Sequence, residues 1–156
     1  MMTFRSVLSR FCVIAVAAAL GTGGIASAQD ARTAQQVKLR QSAYTVLGAQ
    51  MGVMGAMASG RAPYDANAFR LAAERAAFIA TYVPELFPAG SITPNSKAKP
   101  ELWQQTAEFQ RLMRDMQSKT ANLANVARGS DFEAMKAALG ATGASCKACH
   151  DKYKAD

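Results

Sequence analysis

The chain has 156 residues, is 50% hydrophobic, and carries a formal charge of +7 from 18 basic and 11 acidic side chains. That length suits a single domain. The charges are scattered rather than gathered into a stripe, which argues against nucleic acid as a partner.

The first residues read as a leader. Arg5 and Arg10 form a positive start, Phe11 to Leu20 is an apolar run, and Ala26-Ser27-Ala28 supplies an A-x-A cleavage site. Gly21 to Gly24 interrupt the run well short of the roughly 20 apolar residues that a membrane span needs. A lipid anchor on Cys12 is disfavoured, because Arg10 and Phe11 stand where small aliphatic residues are wanted. The expectation is a signal peptide over residues 1–28, cleaved on export to the periplasm, and one domain over residues 29–156 with no membrane attachment. Loss of Arg5 and Arg10 lowers the formal charge from +7 to +5.

The rest is rich in Ala, Met, Leu, Gln, Lys and Arg, all good helix formers, and its breakers fall in clusters. A first helix is predicted from about Thr33 to Ser59, with Val37, Tyr44, Leu47, Met51, Met54 and Ala58 as one apolar stripe. Gly60 and Pro63 end it. A second starts after Asp65 as N-cap and presents Phe69, Ala72, Ala76, Ile79 and Val83 before Pro84 stops it. Residues 84–99, with Pro84, Pro88, Pro94 and Gly90, read as a long crossover. A third helix is expected to run unbroken from Pro100 to Gly129, through Leu102, Phe109, Leu112, Met116, Leu123 and Val126.

Ser130-Asp131-Phe132-Glu133 reads as a capping box with Ser130 as N-cap. The fourth helix follows, its stripe of Phe132, Met135, Leu139, Thr142, Cys146, Cys149 and Tyr153 alternating three and four residues apart. Gly140 and Gly143 weaken it intrinsically and suit the close approach of a helix or a flat ligand. These segments predict an all-α fold, an antiparallel up-down-up-down four-helix bundle.

The last helix carries Cys146-Lys147-Ala148-Cys149-His150, the C-x-x-C-H attachment sequence of a c-type haem. Two thiols must reach the two vinyl groups of one porphyrin, and an imidazole beside the second must swing under the iron. On a helix, Cys146 and Cys149 are three apart and Cys146 and His150 four apart, so all three share a face. His150 is the only histidine, and Cys12 leaves with the leader. The expected cofactor is therefore one haem c, held covalently through two thioethers and lodged in the bundle. Rival readings are structural zinc, which lacks a fourth ligand here, and a thiol–disulfide couple, whose C-x-x-C usually opens a helix after a strand.

The chain resembles the cytochrome c′ family in four blocks. They are Arg40-Gln41-Ser42-Ala43-Tyr44, Ala62-Pro63-Tyr64-Asp65, Lys99-Pro100-Glu101-Leu102-Trp103, and Gly143 to Asp151 around the haem motif. The resemblance implies that Cys146 and Cys149 are the thioether sites and His150 the proximal iron ligand. It implies that Arg40 lies near a haem propionate and that Tyr44 stands over the open side of the iron. Phe87 and Trp103 match aromatics around the haem, read here as packing. Lys154 stands where the family commonly has arginine, and lysine lacks the planar fork.

One histidine excludes bis-histidine ligation. The methionines left after the leader are Met51, Met54, Met57, Met113, Met116 and Met135. Low-spin relatives place a methionine where this chain has Tyr44, and Met51 lies seven residues, about 10 Å, further along the helix. The expectation is a five-coordinate, high-spin iron with an apolar distal side that transfers electrons and binds nitric oxide and, more weakly, carbon monoxide. The alternative is a six-coordinate, methionine-ligated electron carrier. No acid–base pair or nucleophile constellation points to an enzyme. A redox partner protein is implied but unnamed, and the resemblance implies a homodimer through the first two helices.

Overall fold

The computed structural model describes residues 22–155. The positive start and apolar run of the expected signal peptide lie outside them. Five α-helices occur among the described residues: α1 Thr22–Ala58, α2 Ala66–Tyr82, α3 Glu101–Gln104, α4 Thr106–Val126 and α5 Phe132–Tyr153, with a 3-10 turn at Val83–Leu86. The short α3 prolongs α4, so the architecture is the antiparallel four-helix bundle expected. None of the described helices is long and apolar enough to cross a membrane.

Helix α1 starts earlier than its apolar stripe. Ala28 to Arg32 are exposed, so this first part is held by helix-forming composition rather than by packing. At the other end Gly60 adopts φ 72 and its N–H donates to the Met57 carbonyl at 3.1 Å. Only a residue without Cβ takes that left-handed geometry cheaply. Helix α2 is capped as expected, the Asp65 carboxylate accepting from the Ala68 N–H at 2.9 Å.

Two local expectations are corrected. The N-cap of α5 is Asp131, not Ser130: Asp131 has φ -84 and ψ 98 and accepts from the Ala134 N–H at 3.0 Å. The helix thus begins one residue later than the capping box implies, and Glu133 pairs forward with Lys136 instead of reaching back. The third helix is also not continuous. Gln105, with φ -109 and ψ 45, separates α3 from α4. Its N–H still donates to Glu101 and its carbonyl still accepts from Phe109, so the rod bends without losing its hydrogen bonds. Tertiary partners hold the bend: the Tyr153 hydroxyl donates to Gln105 Oε1 at 3.0 Å, and Trp103 Nε1 donates to the Pro88 carbonyl at 3.0 Å.

Helix α2 is the centre of the packing. Its buried face is Phe69 followed by Ala72, Ala73, Ala76 and Ala80, and these small side chains let α1 and α4 close on it from two sides. Helix α4 in turn packs on α5, whereas α1 and α5 barely meet. The aliphatic core of Met54, Leu123 and Met135 fills the end of the bundle near the two short turns. Toward the crossover, α1 and α5 stand apart.

Asp131→Ala should destabilise the protein by about 1 kcal/mol, the usual cost of losing a carboxylate N-cap. Ser130→Ala should stay within about 0.5 kcal/mol of the parent. Urea denaturation of the two variants checks this, and equal losses would return the cap to Ser130.

Candidate haem site

Between α1, α4, the crossover and the last three turns of α5 lies a cavity of about 590 Å³, within the ~300–1,000 Å³ usual for ligand sites. Cys146, Cys149 and His150 line it from α5, and Arg40 and Tyr44 from α1. The five residues singled out in the sequence therefore converge on one space. Its remaining wall is mostly apolar, with Leu47, Phe87, Phe109 and Leu112 among the side chains. Gly143 and Gly48 also face it, and a Cβ added at either would meet nothing within 4 Å. Gly143 thus leaves room for a ligand rather than for a neighbouring helix.

The chemistry of the wall follows from its burial. Cys146 and Cys149 are free thiols, half-buried. Burial pushes Cys149 up to about 11, with neighbouring Cys146 adding to the effect, and it raises Cys146 as well. Both are thiols, not thiolates, near neutrality. Burial lowers His150 from its ordinary value and the Lys154 ammonium lowers it further, so the imidazole is neutral and keeps the lone pair that a metal needs. Burial, reinforced by the two cysteines, raises Tyr44 far above the ordinary phenol, so it stays protonated.

Tyr44 meets His150 edge-to-face with ring centroids 6.2 Å apart, and meets Phe87 the same way at 6.3 Å. Phe87 continues to Phe109 at 5.0 Å, and Phe109 to Tyr153 at 5.7 Å. This chain of edge-to-face contacts is the favoured aromatic geometry and stiffens one side of the cavity. Trp103 stands outside it, tied to Pro88, which agrees with a packing role.

Arg40 is 4% exposed. Its guanidinium lies 4.6 Å over the Phe87 ring and donates to the carbonyls of Leu86 and Ser91 and the hydroxyls of Ser91 and Ser96, at 2.9–3.2 Å. Every one of these acceptors is uncharged, and no carboxylate among the described residues pairs with it. Burial lowers the pKa of Arg40, yet an arginine keeps its proton. The cavity thus has a buried cation without an anion.

This donor set fits a haem. Two thiols one turn apart match two vinyl groups, a neutral imidazole matches the iron, apolar walls match the macrocycle, and an uncompensated cation matches a propionate. Among the described residues, no three His, Cys, Asp or Glu side chains gather closely enough to hold an ion by themselves, which tells against the zinc reading. Some wall residues were not assigned to the cavity from the sequence. Met51, Met113 and Met116, weighed in the sequence as possible iron ligands, line the cavity, and so do Ser96 to Ala98 of the crossover. The stripe of α4 contains Met116, but which space that stripe faces is decided by the bend at Gln105 and the packing on α2.

A four-helix bundle with this constellation on its last helix defines a covalent haem protein, and comparison with known proteins gives the family. The family model described as Cytochrome C' matches residues 35–154. A cytochrome c' from Alcaligenes xylosoxydans xylosoxydans is 35% identical over 126 residues, 81% of this chain and 98% of that protein. One from Rubrivivax gelatinosus is 34% identical over 122 residues, 76% and 92% respectively. Among solved structures, cytochrome c prime from Shewanella frigidimarina superposes with a TM-score of 0.78 at 38% identity, over 80% of this chain and 97% of that one. A nitric oxide complex of a cytochrome c prime variant from Alcaligenes xylosoxidans gives 0.75 at 33% identity, over 80% and 97%. The chain belongs to the cytochrome c′ family, and is a haem-binding electron-transfer protein with one covalently attached haem c.

The thiols offer a check on the cavity before haem is attached. A shift of Cys149 from the ordinary 9.0 to about 11 leaves about a hundredfold less thiolate at pH 8. Alkylation of the apoprotein by iodoacetamide should be slower by about that factor than for an exposed cysteine. Its rate should keep climbing toward pH 11; a plateau just above the ordinary thiol value would mean the sulfur is not buried as described.

Proposed function

We propose that Cys146 and Cys149 carry the thioether bonds to haem and that His150 is its axial iron ligand. On this reading the protein is an exported, periplasmic electron carrier that also binds nitric oxide and, more weakly, carbon monoxide. The observation that carries the proposal is the convergence of two thiols, a neutral imidazole and an unpaired buried arginine on one apolar cavity. When bound, the haem supplies a one-electron ferric/ferrous couple and an iron face open to diatomic gases.

The chain's own residues select what that face meets. Leu47 of α1 and Leu112 of α4 keep the wall apolar, which removes the hydrogen-bond donors that a polarised dioxygen ligand needs. Tyr44 is the exception: its protonated phenol lies beside His150 and makes no hydrogen bond to another described residue. Its ring restricts access, and its hydroxyl is a donor that α1 supplies to the cavity. The nitric oxide complex of the Alcaligenes xylosoxidans relative supports gas binding here. No acid–base pair or nucleophile constellation accompanies the site, so we read the protein as a carrier and sensor of small ligands rather than an enzyme.

A methionine-ligated, low-spin iron is the second reading, because Met51, Met113 and Met116 all line the cavity. An optical spectrum of protein matured in a periplasm, recorded with and without nitric oxide, separates the two. The expected result is a high-spin ferric spectrum and a large change on adding nitric oxide. A low-spin spectrum would establish the second reading. Absence of colour, with a mass equal to the bare polypeptide, would end both. In the same assay Tyr44→Ala should raise carbon monoxide affinity by about tenfold, given that opening a crowded pocket is worth 1–2 kcal/mol; an unchanged affinity would remove Tyr44 as a gate.

We also propose a homodimer through α1 and α2. Leu39, Val46 and Val53 repeat every seven residues on the outside of α1 and are at least 38% exposed, and Phe78 and Tyr82 of α2 are 76% and 46% exposed. Such a stripe suits burial against a second copy. Phe78→Glu should shift sedimentation velocity from dimer toward monomer, and a parent that already sediments as a monomer would refute the interface.

A further inference from the structure

The four hydrogen bonds of Arg40 have a consequence beyond anchoring. A guanidinium has five N–H donors, and the four terminal ones are directed at Leu86 O, Ser91 O, Ser91 Oγ and Ser96 Oγ. That leaves Nε–H, so Arg40 cannot offer a carboxylate the two-pronged fork that usually makes arginine a good partner. What it offers is charge. The charge is not cancelled, because residues 86–100 contain no Asp or Glu and all the acceptors holding the guanidinium are neutral.

Ser96 supplies what the fork does not. Its Oγ accepts from Arg40 Nη2 at 2.9 Å and from the Ala98 backbone N–H at 3.1 Å. A hydroxyl oxygen has two lone pairs and one proton. With both lone pairs engaged, the O–H is the group still available, and Ser96 lines the cavity. The backbone around it is held independently: Gln41 Nε2 donates to the Asn95 carbonyl at 2.8 Å, and the Ser96 N–H to the Thr93 carbonyl at 2.9 Å.

We infer that Ser96 and Arg40 form a carboxylate subsite in which Ser96 O–H is the direct donor to a haem propionate and Arg40, held in a cradle of neutral oxygens, supplies uncompensated positive charge. This rests on the haem reading above. Ser91 is the positioning residue: 3% exposed, it engages both terminal nitrogens of Arg40 through its hydroxyl and its carbonyl. A carboxylate in place of either serine would pair with Arg40 before a propionate could. The 86–100 stretch is therefore a binding element whose lack of acidic residues is functional.

Ser96→Asp tests this in two forms of the full chain, with opposite expected signs. In apoprotein the new carboxylate pairs with the buried Arg40 guanidinium, so the urea midpoint should rise. In holoprotein it competes with the propionate and cancels the charge that favours the reduced iron. The ferric/ferrous ratio in a fixed-potential redox buffer should then move toward ferric by about five- to tenfold, the effect of one nearby unit charge. Ser96→Thr, which keeps the hydroxyl, should restore both readouts to parental values. An apoprotein that is destabilised or unfolded by Ser96→Asp, or a holoprotein whose ratio does not move, overturns the subsite. If the parent itself takes up no haem, the proposed function fails instead, and the gain in apoprotein stability still reports whether Arg40 stands unpaired.

Discussion

A helix that must present two thiols and an imidazole to one flat ligand cannot also pack that face against another helix. The bundle meets this constraint by closing three of its four contacts and leaving the fourth open. The alanine face of α2 draws α1 and α4 close, α4 takes α5, and α1 and α5 stay apart over the span that holds Cys146 to His150. A space of about 590 Å³ results. An apolar void of that size is unfavourable when unfilled, since its lining side chains lack contact partners. Filling it with a macrocycle supplies those contacts, so cofactor binding and core completion are one event.

Burial then sets the chemistry of Cys146, Cys149, Tyr44 and His150 in the same direction, toward the uncharged form. Cysteine and tyrosine hold their protons more tightly and histidine gives up its own, so that each is neutral. Arginine is the exception, because its charge cannot be removed within any ordinary pH range. The site is consequently a low-dielectric space with one buried positive charge, Arg40, while the exposed Lys97 and Lys154 stand at its rim. In such surroundings a single charge acts over a longer distance than it would in water, which is why its uncharged partners matter as much as the arginine itself.

The crossover, irregular by its proline and glycine content, is the third wall rather than a mere connection. Arg40 pins it to α1 through Leu86, Ser91 and Ser96, and Phe87 lies under the guanidinium. At its other end it clips the chain's last residues: the Lys99 N–H donates to the Tyr153 carbonyl and the Ala155 N–H to the Lys97 carbonyl, each at 2.8 Å. The segment thereby joins the first helix to the last across the open side of the bundle. These are the two helices that the cavity keeps apart.

Periodicity alone determined that the chain is a bundle of helices and which face of each is apolar, because a 3.6-residue repeat needs no partner to be visible. The spacing of Cys146, Cys149 and His150 likewise determined the cofactor, since thioether attachment constrains neighbours along one chain. Asp131 against Ser130 was decided by backbone angles that a four-residue motif leaves open. The break at Gln105 was decided by Tyr153, 48 residues away, and no local propensity marks it. Arg40 shows the difference most clearly. As a residue type it belongs in water, and only the fold, by returning the crossover over α1, surrounds it with enough oxygens to keep a cation buried. Long-range partners of that kind leave no periodic trace in the residues that meet them, so their role exists only in the folded chain.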